Sequence, residues 1–130
     1  LRYAANPEQE NQWIVVVATV LLGILIAIAT LAPITILPEF PAGMDKSGHV
    51  AAFAALTFPA ALLRPRLLMW FFPVCVLFGG LIEIIQPHFG RQVEFHDFLA
   101  DAIGATFGVG FGFLIRALTC PKAIYVQPER

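Results

Sequence analysis

The chain has 130 residues, of which 58% are hydrophobic and 13% charged, with a mean hydropathy of +0.78. That is too apolar for a soluble domain of this length and reads as one integral membrane domain. Eight Lys and Arg against nine Asp and Glu leave a formal charge of -1, which argues against a nucleic-acid partner or an anionic-lipid anchor. Two cysteines without metal-site spacing argue against a disulfide or zinc framework.

Residues 1–12 are polar, contain Pro7 and show no apolar stripe, so an exposed tail is expected there. No charge interrupts 13–32. At about 1.5 Å per residue this run covers the roughly 30 Å hydrocarbon layer, and Trp13 suits the headgroup boundary. It is longer than the roughly 7–15 residues of a signal-peptide core, so it is read as a first spanning helix.

The stretch 33–44 stays apolar but contains Pro33, Pro38 and Pro41, which favour an extended segment along the membrane surface. Asp45 then offers a cap for a second helix over 45–63, with a bend expected at Pro59. Arg64, Pro65 and Arg66 make a charged turn. A third helix is expected over 67–86, with Pro73 as a second bend and Gly79 and Gly80 one turn before Glu83. Pro87 ends it, and a polar loop with His88 and Arg91 leads to a fourth helix over 97–118. On that helix Gly104, Gly108 and Gly112 recur every four residues and line one face, a pattern that serves close helix packing in membranes. Residues 119–130 read as a loose polar tail. The expected architecture is therefore an all-α bundle of four transmembrane helices.

Four spans place both termini on one side. The tails and the 64–66 turn hold Arg2, Arg64, Arg66, Arg116, Lys122 and Arg130, while the other side holds Lys46 and Arg91, so both termini are expected in the cytoplasm. Glu39, Asp45, Glu83, Glu94, Asp97 and Asp101 then fall toward the outer face, with His49, His88 and His96.

An ionisable residue inside a spanning segment is a candidate functional site, because keeping it there without a partner is costly. Asp45 and His49 are four apart, as are Asp97 and Asp101, and Glu83 and Gln86 are three apart, so each pair shares a helix face. Gly79 precedes Glu83 by one turn and lets a neighbouring helix approach that face, so helices three and four are expected to pack with their acids facing each other, near Lys46, His49 and Arg91. The simpler reading is that Asp45 and Asp97 are helix caps and that Glu83 pairs with Arg91 to set an interhelical angle.

Three chemistries fit these residues. A divalent cation would sit among His49, His96 and the carboxylates, but no spacing matches a zinc motif, so neither metal nor cofactor is expected. Acid–base work on a lipid-linked or headgroup substrate would use carboxylates beside a histidine, although no nucleophile with an adjacent base stands out to make the protein a hydrolase. Transport would need deeper polar groups or a repeated half, and neither is visible.

Asp45-Lys46-x-x-His49 with Phe53, then Glu83-x-x-Gln86, Gly90-Arg91 and Asp97, and finally Gly104-Ala105-x-x-Gly108, resemble the VanZ-like family of small bacterial membrane proteins. The resemblance covers roughly half of the chain. It departs from the family at Asp101, where an Asn is usual four residues after the Asp of the last helix. It implies a multi-pass protein of the bacterial inner membrane, its named member being associated with low-level resistance to the glycopeptide teicoplanin, and it supplies no reaction.

Two functions are expected to compete. The first is a VanZ-like protein whose outward-facing cluster of Asp45, Lys46, His49, Glu83, Gln86, Arg91, Asp97 and Asp101 acts on or binds an envelope or lipid component. The second is a non-catalytic accessory subunit that packs against a larger membrane protein complex through helix one, the proline segment and the glycine face.

Overall fold

In the computed structural model, residues 7–33 and 44–119 are described. Residues 34–43, which make up most of the proline segment expected along the membrane surface over 33–44, and the chain ends 1–6 and 120–130 lie outside the described residues. Those described form four helices: α1 (Pro7–Leu31), α2 (Met44–Leu63), α3 (Leu68–Ile85) and α4 (Phe95–Thr119), with no strand among them. Single turns of 3-10 helix, Pro65–Leu67 and Gln86–Phe89, flank α3.

Two boundaries differ from the sequence reading. The first helix begins at Pro7, well before Trp13, so residues 7–12 are helical and not an open tail. Proline opens a helix at little cost, because the first backbone N–H has no partner within the helix anyway. The fourth helix begins at Phe95, which places Asp97 inside its first turn and takes it out of the capping position. Pro59 and Pro73 both lie within continuous helices. The chain reverses after α3 through Gly90, whose φ of 76° is left-handed backbone that glycine adopts without strain.

Three helical stretches are long and apolar enough to cross a membrane: Gln12–Leu31, Pro65–Phe89 and Phe95–Thr119. The remaining helix, α2, does not qualify on its own composition. Asp45, Lys46, Ser47 and His49 occupy its first turns, and much of the rest is alanine. It is instead the central helix of the bundle, with Phe53, Leu56, Thr57, Ala60 and Ala61 buried.

The tightest interface in the molecule joins α2 and α4, which run parallel. Gly104 lies against the backbone of Val50, Gly108 against Ala54 and Thr57, and Gly112 against Phe58, Ala61 and Leu62. A Cβ at any of the three would run into those atoms, so the glycine ladder is the surface that lets the two backbones meet. Thr57 Oγ1 donates to the Ala105 carbonyl at 2.8 Å across the same seam, and Arg116 Nη1 donates to the Leu62 carbonyl at 2.9 Å at its far end. Without a hydrophobic driving force between helices in lipid, this kind of close contact and interhelical hydrogen bonding is what holds a bundle together.

The helices α1 and α3 run against this pair in the opposite sense. A core of Ile26, Phe53, Leu56, Cys75, Ile82 and Ala105 draws at least one residue from every helix, and both cysteine spacing and burial make Cys75 a packing residue. The outside is apolar: Trp13, Ile28, Met69, Trp70, Leu77, Ile84 and Leu118 are all largely exposed. Large apolar side chains outside and small or polar ones inside are what hydrocarbon surroundings favour.

Candidate functional site

The parallel seam of α2 and α4 sets the heights of their first turns. Gly104 on Val50 brings His49 of α2 level with Asp101 of α4, and His49 Nδ1 lies 2.8 Å from Asp101 Oδ1. The pair is enclosed, with side-chain exposures of 3% and 1%. A carboxylate can only accept, so an ionised Asp101 holds the imidazole with its proton on Nδ1.

The third helix closes the pair from another side. Asp101 rests on Gly79, where a Cβ would stand 2.7 Å from Oδ2, so any larger residue there would displace the carboxyl group. One turn further along α3, Glu83 is buried, and its Oε2 accepts the backbone N–H of Glu94 at 3.1 Å. Gln86 continues the same face and is 1% exposed, with Nε2 donating to the Thr30 carbonyl near the end of α1 at 3.4 Å. All four helices thus contribute to one end of the bundle.

Asp97 stands a turn before Asp101 and is also buried. One ligand atom each from His49, Glu83 and Asp101 lie within 4.8 Å of one another, and the same holds for Asp45, His49 and Asp97. His49 is the member shared by both groups. Around them runs a more open rim in which Lys46 Nζ meets Glu94 Oε2 at 3.2 Å and Arg91 Nη2 meets Asp45 Oδ2 at 3.6 Å.

The acids inside the rim are incompletely satisfied. Glu83 Oε1, Asp97 Oδ1 and Asp101 Oδ2 are buried and find no hydrogen-bond partner among the described residues. A buried polar group left in that state costs about 1–3 kcal/mol, and more when charged. The arrangement is therefore suited to holding a positive charge or a hydrogen-bond donor that the described residues do not provide.

All eight polar residues singled out in the sequence come together at this end, and the pairing within them differs from the expected one. Arg91 pairs with Asp45 rather than Glu83, because the turn through Gly90 carries the guanidinium toward the start of α2. Asp97 places a buried carboxyl in the cluster. His96, grouped with the possible cation ligands on sequence, is exposed, one position off the buried face that Asp97 and Asp101 share. Gly104, Gly108 and Gly112 pack on α2, and it is Gly79 that receives α4 through Asp101.

Glu94 was missed as a participant. It contributes a backbone N–H to Glu83 and a side chain to Lys46. Its place immediately before α4, where backbone donors lack helical partners, was the available signal. Thr30 was missed too, because a backbone carbonyl leaves no mark in a sequence. No family model, curated protein or solved structure matches the chain.

Proposed function

We propose that the chain is a VanZ-like protein of the bacterial inner membrane, with four spans and both termini in the cytoplasm, whose outward-facing cluster binds or acts on an envelope or lipid component. By the same resemblance the activity is linked to low-level teicoplanin resistance. The observation that carries the reading is the buried His49 and Asp101 pair with Glu83 beside it, contributed by three helices and left with unpartnered carboxylate oxygens. Groups whose only task is to fix helix angles have no need of such oxygens, whereas a site that receives a ligand does.

Support for a fourth span comes from the parallel packing of α2 along α4, which is itself long and apolar enough to cross. The central position of α2 lets its neighbours enclose His49 and Thr57, its two buried polar side chains. Support for the orientation comes from the basic residues: Arg64, Arg66 and Arg116 lie at the end opposite the cluster.

The test is a susceptibility assay in a bacterial host expressing the chain, with Glu83→Gln and Asp97→Asn compared at matched membrane abundance. The reading expects loss of the glycopeptide phenotype without loss of protein. Unchanged susceptibility, together with stable comigration of the chain with a large assembly on native electrophoresis, would replace it with the accessory-subunit function.

A further inference from the structure

The charges at this end of the bundle do not balance. Glu83, Asp97 and Asp101 are each more than nine-tenths buried, and among the described residues His49 is the one basic side chain enclosed to the same degree, Arg91 being 13% exposed. The two stronger cations nearby are committed elsewhere, Lys46 to Glu94 and Arg91 to Asp45. The segment that enters α2, 34–43, contains no Lys or Arg. Enclosed carboxylates call for a compensating positive charge, and burial penalises them heavily without one.

We propose that His49, Glu83 and Asp101 bind one divalent transition-metal cation of the zinc or manganese class, with Asp97 as an adjoining carboxylate. The geometry supports this independently of charge. The three side chains come from α2, α3 and α4 and hold one donor atom each within 4.8 Å of the others. Ligands bonded at about 2.0–2.2 Å to a shared ion stand roughly 3 Å apart, so an ion would take the place of the proton held between His49 Nδ1 and Asp101 Oδ1, 2.8 Å apart, and release it. Glu83 Oε1 and Asp101 Oδ2 are the oxygens left without partners. One imidazole with carboxylates suits zinc, manganese or iron better than calcium, which takes six to eight oxygens.

Supporting contacts are also present. Gly79 fixes the height of Asp101, and the Glu94 N–H holds the second oxygen of Glu83, as outer contacts orient ligands in metal centres. Three protein ligands leave positions on the ion open to an oxygen of a bound group, in the manner of catalytic sites. The inference rests on the reading of this cluster as the functional site, and its test reads metal and not susceptibility, so the two can fail separately.

The full chain would be purified in detergent, stripped with a chelator, loaded with zinc or manganese alone, desalted and measured by elemental mass spectrometry. One ion per chain is expected, with affinity weaker in Glu83→Gln and Asp101→Asn by at least the roughly 10–100-fold that loss of an outer contact costs, and unchanged in His96→Ala, whose ring is exposed. On the unaltered protein, pulsed electron paramagnetic resonance of bound manganese should show coupling to an imidazole nitrogen. That reading does not depend on any variant folding. Failure to retain an ion at micromolar free metal, or a retained ion without nitrogen coupling, overturns the proposal and leaves the acids to be neutralised by protons.

Discussion

Asp101 of α4 sits on Gly79 of α3, its Oδ2 2.7 Å and its Cβ 3.1 Å from the place a side-chain carbon would take. The contact is between a carboxyl group and bare backbone, so α3 and the polar cluster share one degree of freedom. Replacing Gly79 with Ala forces the Asp101 carboxyl off α3 and so disturbs the geometry of its bond to His49. A stability loss of about 1–3 kcal/mol is expected from overpacking, with a larger loss of function than Gly80→Ala, whose added carbon would meet Phe98 at an ordinary 3.5 Å. Thermal melts in detergent beside the susceptibility assay check it. Equal effects of the two alanines would sink the idea.

The seam between α2 and α4 makes a separate prediction about packing. Gly108→Ala pushes into the Ala54 carbonyl, whereas Gly110, on the same helix, has open space where a Cβ would go. The first change should lower the melting temperature and the second should leave it nearly unmoved, because backbone cannot give way as a flexible side chain can. Thr57→Val, which removes the 2.8 Å bond to Ala105, should fall between them at about 0.6 kcal/mol, a typical interhelical hydrogen bond in a membrane bundle.

At position 101 charge and shape can be separated. Asn keeps the shape and can still exchange a hydrogen bond with His49. Asp101→Asn should therefore fold, within about 1.5 kcal/mol of the parent. His49→Ala is different, since it strands an enclosed carboxyl and should cost about 3–5 kcal/mol, most of it recovered when Asp101→Asn is added. Denaturation of the two single variants and the double variant measures the coupling. Lys46→Ala, which breaks a half-exposed pair, should cost under about 1 kcal/mol.

Orientation can be read by labelling. With Cys120 replaced by Ser, a cysteine introduced at His88 should react with a membrane-impermeant thiol reagent on intact cells, and one at Arg64 only after the membrane is opened. Buried Cys75 adds little background. The reverse pattern would place the cluster on the cytoplasmic side and exclude an envelope substrate reached from outside.

Composition and apolar run length were enough to establish an all-helical chain with segments able to cross a membrane, because hydrocarbon imposes its length and polarity on each segment separately. Residue spacing also marked the faces that hold Glu83, Asp97 and Asp101, since the helical repeat acts within one element. Partner choice was decided only in three dimensions. That Arg91 takes Asp45 and leaves Glu83 to a backbone N–H depends on the turn at Gly90, and that Gly104 and Gly108 receive α2 depends on two helices far apart in the chain running parallel. The height at which His49 meets Asp101 follows from that packing, and no spacing along a single helix encodes it.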